Sequence, residues 1–341
     1  MQRRRFIRNS FLAFSGVYVT KDLLKKPRQK AYGYNGMLYT LDTSWSKADS
    51  QRYPVNDCHE MVQDKKGRIL LLTNETHNNI LIYDTNGQLM DSWGHDFPGG
   101  HGLTLHDENG TEFLYITDIV RHQVYKTTLD GKVLLTIDAP LDAGIYKEAK
   151  EFVPTETAID SNGDIFVADG YGAQYILHYD KTGKLLHFFG GRGDGDTHFD
   201  NAHGICWDSR RDDQTLLITD RTRNCFKRFT KDGRLLGVIG LPGACVCRPV
   251  IHKDHLYAAV LRSPDLGAEG TGFVTILDKD NKVVSNIGGS EPQYVDGRLQ
   301  PMRQTEKIFV HPHDVCVDSD DNLYVAQWAS GKVYPYKLKR V

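Results

Sequence analysis

The chain has 341 residues, 40% of them hydrophobic and 10% aromatic, enough to bury a substantial core in one large domain or two ordinary ones. The formal net charge is only −2, so the composition gives no support for a nucleic-acid partner or an anionic surface. No apolar run reaches the roughly 18 residues that a membrane-spanning helix needs, so no such helix is expected. Many of the 32 glycines lie in Asn-Gly, Asp-Gly or Thr-Gly turns, which are typical of an all-β chain.

The N-terminal stretch has the pattern of an export signal. A basic run at residues 3–8 precedes a short, mostly apolar segment at residues 11–20, followed by lysines. This order is similar to a twin-arginine signal, which carries folded proteins out of the cytoplasm. A disordered basic tail is the alternative. We therefore expect residues 1–30 to be a signal and linker, the protein to be periplasmic or secreted, and residues 31–341 to form the folded domain.

The rest of the chain repeats one unit: an acidic turn, an apolar strand, a polar loop, a second strand, a glycine turn and a third strand. The copies start at Asp64, Asp107, Asp160, Asp208, about Ile251 and Asp318. Each supplies four short antiparallel strands in about 40–50 residues, the length of a propeller blade. The sequence therefore predicts one all-β domain, a six-bladed β-propeller of four-stranded antiparallel blades.

The last copy stops before its outermost strand. The apolar stretch at residues 37–45 precedes the first inner strand and can supply the missing one. Such closure removes the free sheet edges that invite aggregation. We therefore predict that an N-terminal strand closes the ring.

Three histidines recur at every second repeat. His101, His203 and His313 each open a run that alternates apolar and polar residues, the period of a strand. They begin the inner strands of blades 2, 4 and 6, so their side chains can converge on the central channel. Three neutral imidazoles with an open fourth position are typical of a catalytic zinc site. The alternative is that they are ordinary polar residues at the rim of a channel.

The loops after the second strands bring further polar residues to the same mouth: Asp118, Asp169, Tyr171, Asp220 and Arg221. Aspartates in such loops are mostly explained by hydrogen bonds to turn backbone. A tyrosine beside a divalent cation loses its proton more readily and can act as a base. An arginine can hold a carboxylate through two hydrogen bonds. Without the histidines, a packed ring and a solvated cation would be the favoured interpretation.

The six cysteines are scattered and form no C-x-x-C pair. Cys245 and Cys247, separated by one residue, could be a metal pair, but a local bridge or plain packing is favoured.

The repeated phrase D-x-x-G-x-[IL]-[YF]-V-[AT]-D resembles the NHL repeat, from about residue 50 to 338. NHL propellers include many binding scaffolds, so this resemblance alone implies no chemistry. The phrases HGLTLH…YITDIVRHQVYK, PTETAID…IFVADGYGAQYI, AHGICWD…LLITDRTRN and PHDVCVD resemble the lyase domain of peptidylglycine amidating enzymes. That family cleaves an α-hydroxyglycine into an amide and glyoxylate.

This second resemblance implies specific roles for residues that match the family's motifs. Zinc would be held by His101, His203 and His313. Tyr171 would be the base, and Arg221 would contact the substrate. A structural calcium in the channel would be held by Asp314 and by the backbone carbonyls of Leu103 and, less closely matched, Met61; oxygen ligands of this kind suit a hard cation.

The chain also departs from the family. A further substrate-binding arginine is missing from the blade 1 loop, where residues 73–77 read TNETH. His59 shares the register of the three motif histidines without belonging to the family pattern; it could be a further ligand or a proton carrier, and we favour a place beside the ligands, as for Asp118, Asp169 and Asp220. Val153 and Gly172 stand where the animal enzymes have a disulfide.

Three hypotheses follow. The first is an exported, monomeric, zinc-dependent lyase of the amidating type, acting on a small-molecule or peptide-derived substrate with cleavage of a C–N or C–O bond. The second is the same metal centre acting on an exported carbohydrate or another carbonyl substrate, which loss of the blade 1 arginine favours. The third is a non-catalytic NHL scaffold that binds a protein, peptide or glycan.

Overall fold

The computed structural model describes residues 29–210, 215–263 and 272–341. The predicted export signal therefore lies almost wholly outside the described residues. The described part consists of β-strands joined by turns, with two single-turn 3₁₀ helices at Leu141–Ala143 and Ala149–Glu151. None of its helices has the length and apolar character needed to span a membrane.

Six antiparallel sheets follow one another along the chain, as the repeats predict. The chain enters through β1 (Ala31–Tyr34) and β2 (Met37–Asp42). Blade 1 contains β3 (Cys58–Gln63), β4 (Ile69–Thr73), β5 (Ile80–Tyr83) and β6 (Leu89–Trp93). Blade 2 contains β7 (Gly100–Glu108), β8 (Thr111–Asp118), β9 (Gln123–Thr128) and β10 (Val133–Ile137). Blade 3 contains β11 (Glu156–Ile159), β12 (Ile165–Ala168), β13 (Tyr175–Tyr179) and β14 (Leu185–Gly190).

The second half of the ring has the same organisation. Blade 4 contains β15 (Ala202–Asp208), β16 (Thr215–Asp220), β17 (Cys225–Phe229) and β18 (Leu235–Gly240). Blade 5 contains β19 (Val250–His252), β20 (His255–Val260), β21 (Phe273–Leu277) and β22 (Val283–Ile287). A small hairpin follows, β23 (Tyr294–Val295) and β24 (Arg298–Leu299). Blade 6 takes β25 (Pro312–Val317), β26 (Leu323–Gln327) and β27 (Tyr336–Arg340) from this end of the chain.

The aspartate that recurs in each repeat folds the turn between strands. Asp318, for example, accepts hydrogen bonds at Oδ1 from the backbone N–H groups of Asp320 and Asn322, at 3.0 and 2.8 Å. Asp160 makes the same pair of contacts in blade 3, with Asn162 and Asp164. A side chain that satisfies turn backbone in this way makes the chain reverse direction locally. The acid at these positions is therefore a folding signal for the turn of its blade.

The apolar core lies between neighbouring blades. The cluster around Leu217 and Phe226 of blade 4 continues into Leu256 and Phe273 of blade 5. The middle strands are buried on both faces, whereas the outer strand β18 alternates partly buried and exposed residues along its length. This arrangement explains why the middle strands read as continuous apolar runs and the outer strands alternate.

An N-terminal strand closes the ring, as predicted. β2 pairs antiparallel with β27, with Thr40 opposite Lys339. The sheet of blade 6 also has a fifth strand, β1, which the sequence analysis did not anticipate. A tight turn at Asn35 and Gly36, both with positive φ, joins β1 to β2 and matches the twist of an antiparallel hairpin.

Candidate metal centre and active site

Each motif histidine lies at an irregularity in the pairing of its inner strand. The register shifts between Gly100 and Leu103 in β7, and between Pro312 and Asp314 in β25. β15 has the same shift around His203, and β3 has it around His59. A β-bulge re-aims the side chain that it carries. The four histidines therefore lie at equivalent bulges in the inner strands of four blades.

The imidazoles of His101, His203 and His313 form an equilateral triangle. Each pair of ring centroids is 5.0 Å apart, and all three side chains are buried. His59 joins them, with its ring centroid 4.9 Å from that of His101 and 5.0 Å from that of His313. One ligand atom each from His59, His101 and His313 lies within 4.8 Å of the others, and the same holds for His203, His313 and the thiol of Cys247.

The hydrogen bonds of these rings suit metal ligation. Nδ1 of His101 lies 2.9 Å from the carbonyl oxygen of Thr155, and Nδ1 of His313 lies 3.1 Å from that of His59. Because a carbonyl only accepts, Nδ1 carries the hydrogen, and Nε2 is unprotonated with its lone pair directed away from that carbonyl. Neither ring nitrogen of His203 has a hydrogen-bond partner, although both are buried. Buried, unpartnered ring nitrogens are costly unless something binds them, so these residues fit a zinc ion.

Burial also keeps the rings in the form that binds a metal. It lowers the pKa of His101, His203 and His313 well below the usual value, and lowers the pKa of His59 to about 3. The imidazoles are therefore neutral across the physiological range, as ligation requires.

Tyr171 and Arg221 lie over the histidines. The Tyr171 hydroxyl is 3.2 Å from Nε2 of His101 and accepts a hydrogen bond of 3.1 Å from Nη2 of Arg221. Burial of the hydroxyl raises the pKa of Tyr171, and the positive charge and hydrogen bond of Arg221 oppose that rise. The tyrosine is nonetheless 37% exposed, so the phenol lies between the buried histidines and solvent. This is the position of a group that can contact both a bound metal and a substrate.

The DGYG sequence around Tyr171 is required by the packing of its loop. Oδ1 of Asp169 accepts a hydrogen bond of 2.7 Å from the backbone of Val153, and Oδ2 accepts one of 2.8 Å from the Tyr146 hydroxyl. A side chain at Gly170 would overlap the carbonyl of Ala202 in the next blade. These contacts hold the loop that carries Tyr171 against its neighbours.

The other two predicted aspartates act on loop backbone in the same way. Asp118 accepts hydrogen bonds from the backbone N–H groups of Gly99 and Val120, at 3.1 and 2.8 Å. Asp220 accepts one from Asn201 at 3.1 Å and forms an ion pair of 3.0 Å with Lys227. These contacts are structural, because they fix the loops that lead into and out of the histidine strands.

The three residues expected to bind calcium do converge, but on an arginine. Arg248 donates from Nη1 to the carbonyl of Leu103 at 2.8 Å and from Nη2 to that of Met61 at 3.1 Å. Its Nε and Nη2 also donate to Oδ1 and Oδ2 of Asp314, at 3.0 and 2.8 Å. These residues do not fit a calcium ion as they stand, since a guanidinium already occupies the space between the oxygens.

Two glutamates surround the same arginine. Oε2 of Glu60 lies 3.1 Å from Nη1 of Arg248, and Oε2 of Glu156 lies 3.7 Å from it. Burial raises the pKa of Glu60 well above its usual value, although Arg248 opposes the shift. Beyond Arg248 the inner strands line a cavity of about 580 Å³ that includes Trp207.

The blade 1 loop has no arginine, as the sequence already indicated. The amide of Asn74 is held by Asp57, to whose backbone and side chain it is hydrogen-bonded. Glu75 contacts His77 through Oε1 at 2.6 Å. All six cysteines lie among the described residues, and all are free thiols.

Sequence reasoning missed Arg248 as a member of the channel, and it considered Cys247 only as a possible metal pair with Cys245 rather than as a neighbour of His203 and His313. Cys247 and Arg248 occupy, in blade 5, the place that a motif histidine and the residue after it have in other blades. Blade 5 has the most worn repeat, and its inner strand β19 has only three residues. The only available signal was the position of the Cys-Arg pair just before that strand.

Curated proteins named as amidating lyases are similar in sequence to this chain. Peptidyl-alpha-hydroxyglycine alpha-amidating lyase 1 of Drosophila melanogaster is 38% identical over 286 residues, which cover 75% of this chain and 48% of that protein. The chain is similar in sequence to the peptidyl-α-hydroxyglycine α-amidating lyases. A second such relative, the probable amidating lyase of Caenorhabditis elegans, is 32% identical over 158 residues, 46% of this chain and 41% of that protein. The chain thus spans about half the length of these curated relatives.

No protein-family model matches this chain. Among solved structures, a streptogramin B lyase superimposes with a TM-score of 0.58 at 14% sequence identity, covering 88% of this chain and 97% of that one. At such low identity the likeness concerns the propeller fold alone.

Proposed function

We propose that this chain is a zinc-dependent lyase that cleaves the C–N bond, or a related C–O bond, of a hemiaminal-type substrate. The observation that carries the proposal is the triangle of His101, His203 and His313, with the Tyr171 hydroxyl 3.2 Å from the first of them. The relatives named as peptidyl-α-hydroxyglycine lyases support both the reaction and the substrate class.

His101, His203 and His313 would hold the zinc through unprotonated ring nitrogens, with His59 beside them. When bound, zinc would act as a Lewis acid that lowers the pKa of an alcohol in contact with it. The donor set of neutral nitrogens with room for one more ligand is typical of catalytic rather than structural zinc. The unpartnered nitrogens of buried His203 support this assignment.

Tyr171 is the proposed base. As the phenolate, it takes the proton of the substrate's carbinol hydroxyl; the C–O bond becomes a carbonyl and the electron pair of the C–N bond leaves with nitrogen. The departing nitrogen then takes that proton from the Tyr171 hydroxyl, giving an amide and an aldehyde, which is glyoxylate for an α-hydroxyglycine, and the phenolate is regenerated. Arg221 assists because its charge and its 3.1 Å hydrogen bond favour the phenolate.

Arg221 has a second proposed role in substrate orientation. Its guanidinium uses Nη2 on Tyr171, and the carbon at its centre lies 5.5 Å from the centroid of that ring. The remaining N–H groups can hold a carboxylate beside the phenol. Substrate binding and proton transfer are therefore coupled through one pair of side chains.

A different substrate class is the second candidate. The blade 1 loop offers Asn74, Glu75 and His77 where the family has an arginine, and Glu75 is already paired with His77. A loop without positive charge favours a neutral carbonyl or carbohydrate compound over a carboxylate. A non-catalytic scaffold is the third candidate, and it predicts a protein without zinc.

Export to the periplasm or beyond, and a monomeric state, remain part of the proposal. The basic run at residues 3–8 and the apolar segment after it support export. A metal site built from buried imidazoles is compatible with transport in the folded state.

The test is glyoxylate release from a peptidyl-α-hydroxyglycine by the full chain, with zinc content measured on the same sample. The proposal expects about one zinc per chain and equal amounts of amide and glyoxylate. Zinc without glyoxylate would favour the second candidate, and absence of zinc would favour the scaffold. Removal and return of zinc, with activity measured at each stage, separates a catalytic metal from a contaminant.

A further inference from the structure

We propose that the guanidinium of Arg248 replaces a structural cation in the central channel, so that this propeller needs no calcium. The three groups that the family resemblance assigns to calcium, the carboxylate of Asp314 and the carbonyls of Leu103 and Met61, all accept hydrogen bonds from Arg248. The inference is independent of the proposed reaction, because it concerns what holds the channel together.

The contacts match the shape of a guanidinium. Nε and Nη2 form a two-pronged contact with the two oxygens of Asp314, while Nη1 and Nη2 reach the two carbonyls in different blades. Arginine presents five N–H donors in a rigid plane, and this geometry uses at least four of them. The residue is only 9% exposed, so water cannot replace these contacts without opening the channel.

The neighbouring blade is shaped to accept this arginine. A Cβ atom added to Gly204 would lie 2.6 Å from the Cα atom of Arg248, closer than packing allows. Glycine at the residue after His203 therefore admits the backbone of Arg248 to the channel. The close approach of Gly204 to the backbone of Arg248 indicates that the fold provides a specific position for the arginine.

The charges exclude a second cation at the same place. A calcium ion binds six to eight oxygens at about 2.3–2.6 Å, and the oxygens that it would need are directed at the guanidinium. A divalent ion beside a buried arginine would also repel it strongly. One cation or the other can occupy this position.

Removal of the arginine side chain would leave a calcium site. The remaining oxygens belong to three buried carboxylates, Glu60, Glu156 and Asp314, and to the carbonyls of Met61 and Leu103. Several carboxylates with backbone carbonyls are the ligand set that calcium prefers. In an Arg248→Ala variant we therefore expect bound calcium to stabilise the channel in place of the arginine.

Arg248 also acts as a positioning residue for the histidines. Met61, Leu103 and Asp314 follow His59, His101 and His313 by one or two positions, and Arg248 itself follows Cys247. A single side chain thus links the inner strands of blades 1, 2, 5 and 6. Loss of that link should loosen the histidine triangle.

The first experiment uses the unmodified full chain. Calcium content is measured after dialysis against calcium-free buffer, and thermal unfolding is followed with and without added CaCl₂. The proposal expects no bound calcium and the same midpoint in both buffers. About one calcium per chain, or a higher midpoint in calcium, would overturn it. Elemental analysis reports zinc separately, so failure here and failure of the proposed reaction are distinguishable.

The second experiment uses Arg248→Ala. Without calcium its midpoint should fall by about 5 °C or more, because buried carboxylates lose their partner, and CaCl₂ should restore much of the loss. Arg210→Ala is the matched control, since Arg210 forms a similar buried pair with Asp208, at 2.8 Å, and calcium should not restore it. A folded Arg248→Ala variant whose unfolding midpoint does not change on addition of CaCl₂ would contradict the proposal. If this variant does not fold without calcium, folding in the presence of calcium would support the proposal. Failure to fold in both buffers would count against the proposed replacement of the arginine by calcium.

The positioning role has its own readout. Zinc affinity of Arg248→Ala should fall about 10- to 100-fold in calcium-free buffer, as when groups that orient metal ligands are lost. Added CaCl₂ should return the affinity toward the original value. An affinity that stays low in calcium would limit the arginine to a purely local structural role and overturn this part of the proposal.

Discussion

Nε2 of His101 lies 3.2 Å from the hydroxyl of Tyr171, although the two residues are 70 positions apart in the chain. The histidine comes from the inner strand of blade 2 and the tyrosine from a loop of blade 3. Because separate sheets anchor the two groups, either can be changed without removing the support of the other. Single substitutions at this mouth should therefore report on chemistry.

Tyr171→Phe removes the hydroxyl and keeps the ring, whose centroid is 5.1 Å from that of His101. If Tyr171 is the base, turnover should fall about 10²- to 10⁴-fold. Zinc content should not change, and both quantities are measured on one preparation. Tyr175→Phe, in β13, is the control and should retain activity. Unchanged turnover in Tyr171→Phe would exclude the phenol as the base.

Arg221→Lys keeps the positive charge and loses the planar fork. We expect KM for a carboxylate-bearing substrate to rise about 10- to 100-fold, the range that corresponds to a lost hydrogen bond to a charged group. Steady-state kinetics with a matched substrate that lacks the carboxylate provide the control, and its KM should change much less. An equal effect on both substrates would argue against a carboxylate contact.

The histidines should differ in their importance for zinc. His203→Ala removes one corner of the triangle and should abolish zinc retention after dialysis. His59→Ala should weaken zinc affinity about 10- to 100-fold, the usual effect of a group beside the ligands. Competition with a chromogenic chelator measures both affinities. A loss in His59→Ala as complete as that in His203→Ala would make His59 a ligand.

Gly204→Ala tests the close approach of blade 4 to Arg248. The added methyl group would lie 2.6 Å from the Cα atom of Arg248, so the free energy of unfolding should fall by about 1–3 kcal/mol. Gly237→Ala is the control, because a Cβ there has nothing within 4 Å. Its effect should stay within about 0.5 kcal/mol. Denaturant titrations of both variants measure the two free energies of unfolding. Equal values would show that the backbone at Gly204 can move away from Arg248 without loss of stability.

The architecture could be predicted from the sequence because each blade carries its own local signals. The turn aspartates, such as Asp160 and Asp318, and the alternating strands repeat often enough to fix the number of blades and the closing role of residues 37–45. The register of His101, His203 and His313 follows from the same repetition. A periodic pattern determines which residues share a position around the ring.

The rest of the channel could not be predicted, because it depends on what one blade supplies to the others. Arg248 comes from blade 5, whose repeat is the least regular, and it contacts residues of blades 1, 2 and 6. No local sequence pattern reveals these contacts between blades. The place of His59 among the other imidazoles depends on a bulge in β3 that its sequence does not announce. The extra strand β1 depends on pairing with β2, whose own partner β27 lies at the far end of the chain.

The pairing of β2 with β27 also sets the order in which the histidines come together. His101 and His203 lie in sheets made from contiguous sequence, whereas the sheet of His313 includes strands from both halves of the molecule. A nascent chain can therefore complete blades 2, 3 and 4 while the third imidazole still has no fixed location. If the three rings bind zinc as proposed, capture of the ion by all three would be a late event in biogenesis, coupled to the moment when the two distant segments meet.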